Sequence, residues 1–382
     1  MIKDKKIAII GGGPGGLVLA RLLQLKGADI KVYERDNHKE ARSQGATLDL
    51  HEESGLEALR RAGLLEAFYK YHRPDAGTLR VMDEGMYILY DEHTGEKGAA
   101  EDRPEIDRAD LRMILLESLK AGTIVWESHF ISMSPQGEGW QLQFKNGTTA
   151  YADIVIAADG ANSKIRSYIT DIKPVYSGIT IIEGNIYHAS QNAPKLWELV
   201  KGGKVFALGK SQSLILSAKG DGCLSFYTGC NVEENWAQNS GIDFTKKQEV
   251  YDWFKKAFGE WSEEWQELFT GEEIWFVARP QYHCPPDQEW KSLPNLTMLG
   301  DAAHRMPPYA GEGVNMAMQD AYELAEALIS GEGIAVYEKK MLERAAEVTA
   351  ITLESTERLH SEGAVDWLLG MFARDNQPGN HL

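Results

Sequence analysis

Apolar and polar positions follow two regimes along the chain. Residues 6–10 (Lys-Ile-Ala-Ile-Ile) form a short apolar run, the pattern of a strand buried on both faces of a parallel sheet. Residues 17–25 carry Leu and Ala at helical spacing and are closed by Gly27, while residues 30–34 alternate and are β-branched. Strand, helix and strand in that order predict a right-handed crossover. Residues 51–72 and 108–120 predict helices, the second with Leu111, Leu115 and Leu119 on one face; 124–126, 140–144 and 153–157 predict strands. From about 174 to 230 the pattern shortens into alternating segments punctuated by Gly and Ser, which predicts an antiparallel sheet. Trp253, Phe254, Phe258, Trp261, Trp265, Leu268 and Phe269 stud a helical region, a stripe that reads as packing. A strand at 296–299, a helix over 313–329 and a long helix over 334–360 complete the chain. Without repeats or a low-complexity linker, the domains must be interleaved.

Charge narrows the partners. The chain has 40 Lys plus Arg against 57 Asp plus Glu, a net charge of -17, and no long basic run, which argues against nucleic acid as a partner. Hydrophobic content of 43% with 25% charged residues is globular rather than disordered. Three cysteines (Cys223, Cys230, Cys284) without C-x-x-C spacing speak against a disulfide framework or a cysteine-rich zinc site and for a reducing cytoplasm. No apolar run reaches the ~18 residues of a membrane span. The basic and apolar N-terminus imitates a signal peptide, but the glycine run 11–16 interrupts it. No His pair at i, i+4 and no G-x-S-x-G occur, so neither a metal site nor a serine nucleophile is expected. His304 reads as a helix-start packing or hydrogen-bonding residue, and His51 and His188 as structural or exposed.

Gly11, Gly13 and Gly16 fit G-x-G-x-x-G between the first strand and the first helix, with Pro14 inside the turn. Gly11 serves the tight turn, Gly13 the close approach of a pyrophosphate, and Gly16 the packing of helix on sheet. The helix N-terminus offers free N–H groups to the phosphates. Glu34, at the end of the second strand, would accept from ribose hydroxyls and would repel a 2′-phosphate. These residues predict a dinucleotide site and leave FAD and NAD open.

Two further stretches carry a resemblance. Residues 296–320, LTMLGDAAHRMPPYAGEGVNMAMQD, with Gly300-Asp301 after a buried strand, resemble the second FAD motif of the single-component (group A) FAD-dependent aromatic monooxygenases. Asp159-Gly160, within 153–166, resembles the D-G motif of the same family. The stretches E-R-D-N, E-A-R and T-L-D-L-H at 34–51, together with G-D-A-A-H, are most similar to the tetracycline-inactivating members. The resemblance implies that Asp301 binds the ribityl chain or ribose of FAD and that Pro308, Gly311, Gly313 and Asn315 lie by the isoalloxazine. It implies that Asp159 and Gly160 serve FAD and NAD(P)H. It further implies that Asp49 and Arg112 contact FAD and that Arg42, with Arg35 beside it, meets the nicotinamide cofactor. Where those enzymes face their substrate with Gln, Arg and His, this chain has Glu183, Lys204 and Ser225; Phe206 and Tyr309 complete the substrate candidates.

The implied fold is α/β: a Rossmann-like FAD-binding domain of hydroxylase type, interleaved with a mainly antiparallel-sheet substrate domain and a C-terminal helix. Residues 1–75, 96–170 and 281–330 would form the FAD-binding part and 76–95 an excursion into the substrate domain. Residues 171–280 would be the substrate domain proper, and 331–382 a C-terminal bridging helix. The implied activity uses FAD, NADPH (or NADH) and O2 to hydroxylate an aromatic or polycyclic small molecule through a C4a-hydroperoxyflavin, with tetracycline inactivation as one form. The expected protein is cytoplasmic and monomeric, without membrane or nucleic-acid partners. The rival readings are a non-catalytic FAD-containing ligand-binding protein and, if FAD is absent, an NAD-dependent dehydrogenase.

Overall fold

The computed structural model describes residues 2–39, 41, 46–94 and 103–375. Its first layer is a five-stranded parallel sheet in the order Leu296–Met298, Ile154–Ala157, Lys6–Ile10, Asp29–Tyr33 and Ile124–Val125. Lys6–Ile10 lies at the centre because Ile7, Ala8, Ile9 and Ile10 are apolar on both faces, and all four are buried. The neighbouring strands come from distant parts of the chain, so the sheet is assembled from interleaved segments. Helix Pro14–Leu25 packs beside helix Gly313–Ser330, which brings two of the glycine motifs to one end of the sheet. A three-stranded antiparallel meander, Phe130–Gln136, Gly139–Phe144 and Thr149–Ala152, flanks this layer.

The second layer is a seven-stranded sheet in the order Ile274–His283, Val175–Ile186, Leu224–Asn231, Gln212–Ala218, Lys204–Gly209, Leu79–Asp83 and Ile88–Asp91. It is antiparallel except where Lys204–Gly209 runs parallel to Leu79–Asp83. Its back face carries Ile182, Ile186, Leu214, Leu216, Leu224 and Phe226, packed under the aromatic stripe of 254–269. The stripe is therefore core. The hydroxylase-type α/β fold is thus observed, closed by helices Ile334–Leu359 and Ala364–Asp375. The first lies along Gly313–Ser330, and the second packs on the large sheet, where its Leu368 clusters with Val81 and Leu208.

One predicted helix differs. Residues 51–72 are not continuous: a π-turn at Glu52–Leu56 runs into helix Glu57–Ala62, and a second helix follows at Leu65–Tyr71. Gly63 adopts φ 72°, the left-handed conformation that glycine takes cheaply, and this ends the first helix.

Trp265 is fully buried behind the large sheet, and its indole N–H donates to the Glu84 carbonyl at 3.1 Å. Trp265→Ala should cost about 3–5 kcal/mol. Urea unfolding monitored by fluorescence of the remaining tryptophans and by circular dichroism should show the lower midpoint.

Candidate active site

The glycine turn separates packing from exposure. Gly11 has φ +110°, and a side chain there would overlap the Ala158 backbone. At Gly16 a Cβ would press on the Gly11 carbonyl and stand 3.1 Å from the Ala158 Cβ. Gly13 is different: a Cβ would meet nothing within 4 Å, so that position opens onto free space. Pro14 stands at the start of helix Pro14–Leu25, whose N-terminus has no side-chain cap. Its N–H groups therefore remain available to an anion. Glu34 is buried and accepts from the Gly12 N–H at 2.6 Å and the Asp36 N–H at 3.0 Å. Arg35 is exposed beyond it. Arg42 lies outside the described residues.

Asp301 follows Gly300, whose φ of 58° and ψ of -145° turn the chain out of strand Leu296–Met298. The turn is held from below. The Gly300 N–H donates to Asp320 Oδ2 at 2.8 Å, His304 Nε2 lies 2.6 Å from the same oxygen, and Arg344 donates to Oδ1 at 2.7 Å. Arg344 also grips both oxygens of Glu323 at 2.8 Å. Burial alone would raise the Asp320 carboxyl, but His304, Arg344 and the Gly300 N–H outweigh it and hold it below the usual carboxylate range. Burial pulls the other way on His304, and Asp320 overcomes it to raise that imidazole. His304 is a buried structural partner, as its position at the helix start suggests.

The Asp301 side chain itself is solvent-exposed, yet desolvation by surrounding protein raises its carboxyl. Accessible but enclosed is the condition of a crevice floor. Its Oδ1 lies 3.9 Å from where a Gly313 Cβ would stand, at the uncapped start of helix Gly313–Ser330. Gly311 takes φ +72°, and its Cβ position is 3.4 Å from Asp49 Oδ1. Pro308 and Tyr309 form the short 3-10 turn just before it. Burial would raise Asp49, but a hydrogen bond from His51 at 3.1 Å and the Lys204 charge hold it low. Asn315 is buried and spent on the protein: its amide donates to the Asp49 carbonyl and accepts from the His51 N–H.

Asp159 accepts from the Lys164 N–H at 3.0 Å, while its Oδ1 is buried without a partner. Gly160 beside it has φ +80°. Downstream, Arg166 is buried and donates to the carbonyls of Ala302 and Ala303 and to Gln288, which ties this segment to the Asp301 turn. Arg112 donates to the Lys39 carbonyl at 2.6 Å and to Asp36 at 3.1 Å, bracing the loop after Glu34.

The register of the large sheet places all four sheet candidates on its front face, opposite the core. One row across the strands is Val277, Glu183, Tyr227, Ile215 and Phe206; the next is Asn185, Ser225, Ser217 and Lys204. Glu183 contacts Arg279, and Lys204 contacts Glu105. Ser225 and Ser217 are buried under Thr47, whose hydroxyl is 3.3 Å from Ser217. Phe206, Ile215, Tyr227, Val277 and Lys204 stay partly accessible. The Tyr309 ring meets His360 edge-on at 4.7 Å, and His360 Nε2 lies 2.9 Å from Ser213 Oγ. Burial lowers His360 to about 4, so it is neutral there.

Tyr227, Ile215 and Glu105 escape the sequence reading. Tyr227 and Ile215 carry a signal, because period-two alternation places them on the same face as Ser225 and Ser217. Glu105 carries none, for its strand is two residues long. Two further cavities lie apart. One of about 380 Å³ is lined by Arg73, Asp107 and Lys219, and one of about 470 Å³ by Trp236, Trp253 and Lys256. Neither holds the residues above; the crevice is the candidate site because convergent carboxylates, glycine turns and helix N-termini meet there.

The chain matches the family model described as FAD binding domain over residues 4–213 and 289–350. It is 28% identical over 370 residues to Monooxygenase penA of Penicillium thymicola, covering 85% of this chain and 84% of that protein. It is also 28% identical to 3-amino-4-hydroxybenzoate 2-monooxygenase PtmB3 of Streptomyces platensis, over 93% of this chain and 88% of that one. The crystal structure of tetracycline destructase Tet(55) superposes with a TM-score of 0.74 at 19% identity, covering 98% of this chain and 96% of that one, a likeness of fold. The chain belongs to the FAD binding domain family, and its own fold is of the α/β class. Both of these relatives are named monooxygenases, and the chain is a member of the FAD-dependent monooxygenase family.

Asp320→Asn should destabilise the protein by about 3–5 kcal/mol, because Arg344 and His304 lose their buried counter-charge. The Asp320 carboxyl is lowered on folding, so its contribution is present above the unfolded carboxylate range and is lost as pH falls through the lowered value. Melting temperature against pH should therefore show an acid limb in the wild type that is reduced in the variant.

Proposed function

We propose that this protein uses NADPH or NADH, with FAD, to place one oxygen atom of O2 into an aromatic or polycyclic ring. The balance is ring C–H, O2, NAD(P)H and a proton giving ring C–OH, water and NAD(P)+. The carrying observation is the junction of two surfaces at one crevice: Asp301 beside the uncapped helix start at Gly313, and the partly apolar front face of the large sheet.

The residues present fit a flavin dinucleotide. Gly13 opens onto free space at an uncapped helix start, and Asp159 Oδ1 is a buried acceptor without a partner. Gly11 and Gly13 would let the pyrophosphate approach the N–H groups of helix Pro14–Leu25, and Glu34 would take the adenosine ribose. Asp159 and Asp301 would hold hydroxyl groups of the cofactor. When bound, FAD supplies the redox chemistry that activates O2. The protein's own contribution is binding and shielding. The N–H groups at Gly313 would stabilise negative charge that collects at the ring edge. Phe206, Ile215 and Tyr227 would lie along the substrate ring. Tyr309, fixed against His360 over Gly229, would close one end of that wall, and helices Ile334–Leu359 and Ala364–Asp375 would help exclude water.

Purified protein should carry FAD, and NADPH oxidation should quicken when a ring substrate is added, with mass spectrometry finding a product one oxygen atom heavier. A screen across tetracyclines and simple phenols tests this. Bound FAD without substrate-stimulated oxygen consumption would favour a non-catalytic flavoprotein.

The glycines give a sharper test of the cofactor site. Gly13→Ala should fold normally, because its Cβ meets nothing, yet weaken FAD retention about tenfold, roughly 1.4 kcal/mol. Asp301→Ala should also lose flavin. Full occupancy in both, measured by absorbance after gel filtration, would refute the assignment.

A further inference from the structure

We propose that His360 and Ser213 are positioning residues for Tyr309, holding its ring at one end of the substrate wall so that oxygen enters the substrate ring rather than leaving as hydrogen peroxide. This rests on the monooxygenase reading and names residues that govern its outcome. Polar groups from three parts of the chain meet where Gly229 has no side chain. Ser213 and Gly229 pair across neighbouring strands, two residues along from the Ile215 and Tyr227 pair, so they extend the same front face. A Cβ at Gly229 would overlap His360 Nε2 and stand 2.5 Å from both Ser213 Oγ and the Tyr309 hydroxyl oxygen. Tyr309 comes from the short turn Pro308–Ala310, and His360 from the end of helix Ile334–Leu359.

The hydrogen-bond directions are fixed from one end. His360 Nδ1 lies 2.7 Å from the Thr356 carbonyl, which only accepts, so Nδ1 carries the proton. Burial lowers the imidazole to about 4, so it is neutral and its Nε2 is an acceptor. Ser213 Oγ, 2.9 Å away, must therefore donate to Nε2, which leaves its own lone pairs open to a donor. The Tyr309 hydroxyl is that donor. It is buried with no partner in full hydrogen-bond geometry among the described residues, burial keeps its proton on, and Ser213 is the side chain that eases that burial. Leaving such a hydroxyl unpaired is costly, so it closes on Ser213. The series Tyr309, Ser213, His360, Thr356 ends on a carbonyl that can take no proton, so it orients and does not relay. His360 is itself anchored, for the Asn231 amide donates to its carbonyl at 3.1 Å. Tyr309 stays partly accessible while its hydroxyl is buried, so the hydroxyl faces the protein and not the substrate. A wall held in this way fixes how deep a flat ring sits, and a misplacement of about 1 Å is enough to spoil the reaction geometry. The reducing equivalents then go to O2 alone: NAD(P)H, O2 and a proton give NAD(P)+ and H2O2.

The test uses flavin-loaded enzyme and, as substrate, whichever tetracycline or simple phenol most stimulates NADPH oxidation. Oxygenated product and H2O2 are counted per NADPH consumed. Tyr309→Phe, Ser213→Ala and His360→Leu should each cut product per NADPH at least about threefold, with H2O2 making up the difference. His360→Gln, whose amide can donate to Thr356 and accept from Ser213, should recover most of that loss. Combining Ser213→Ala with His360→Leu should cost no more than the worse single change, since both act through one contact. An unchanged product ratio in the single variants, a His360→Gln ratio no better than that of His360→Leu, or additive losses overturns the inference. Tyr309→Phe removes one oxygen atom and keeps the comparison available if a His360 variant misfolds. Histidine NMR of the isotope-labelled holoenzyme needs no substrate and should place the His360 proton on Nδ1; a proton on Nε2 also overturns the inference. Protein without flavin, or with flavin but stimulated by no ring compound, sinks the monooxygenase reading, while the NMR result still decides the contact.

Discussion

Asp320 has no exposed surface, yet its two oxygens take hydrogen bonds from the Gly300 N–H, the His304 ring and the Arg344 guanidinium. Those donors come from the turn after a sheet strand, the short helix that follows it, and the C-terminal helix Ile334–Leu359. A carboxylate in that position is tolerable only while all three are present, because an unpaired buried charge costs several kcal/mol. The consequence is geometric. Gly300 keeps its unusual turn because its N–H has an acceptor, and Asp301 therefore leaves the sheet towards the crevice. Arg166 secures the same short helix from the other side through the carbonyls of Ala302 and Ala303. One buried charge thus links the helix that closes the structure to the residue that faces its central space.

The large sheet solves a different problem. Each strand must present apolar residues to the aromatic core behind it and something usable to the crevice in front. Strict alternation does both: Leu214 and Leu216 go backward while Ser213, Ile215 and Ser217 go forward. The same parity sends Phe226 back and Ser225 and Tyr227 forward. Gly184 lies so close to the Phe226 ring that a side chain there would collide with it, which shows how tightly the back face is filled.

Much of this architecture is legible in the residues because it rests on short-range patterns. The glycine turn at 11–16, the parallel strand runs and helix Gly313–Ser330 follow from period and glycine placement alone. Substrate-face candidates Glu183, Lys204, Phe206 and Ser225 do share one wall. Alternation, however, tells which residues of a strand share a face and says nothing about the order of strands. That Leu79–Asp83 would lie parallel beside Lys204–Gly209 has no local signature. For the same reason Glu105 is invisible until Asp49 and Lys204 are brought to it in space. Asn315 and Arg112 show the converse: their motifs are plain, but their side chains are engaged by Asp49, His51, Asp36 and Lys39 within the protein.

The balance of charge explains how a chain at -17 can be shaped to receive an anionic dinucleotide. Several of its cations are turned onto carboxylates of the protein: Lys204 on Glu105, Arg279 on Glu183, Arg344 on Asp320 and Glu323. Side-chain charge is therefore a poor source of the positive potential that phosphates need. Two uncapped helix starts, at Pro14 and Gly313, offer it instead as fixed N–H groups, each equivalent to about half a charge. Such donors neither titrate nor swing away, and they cost no side-chain entropy to aim. A site built on them can hold an anion and still present a nearly neutral wall to the molecule beside it.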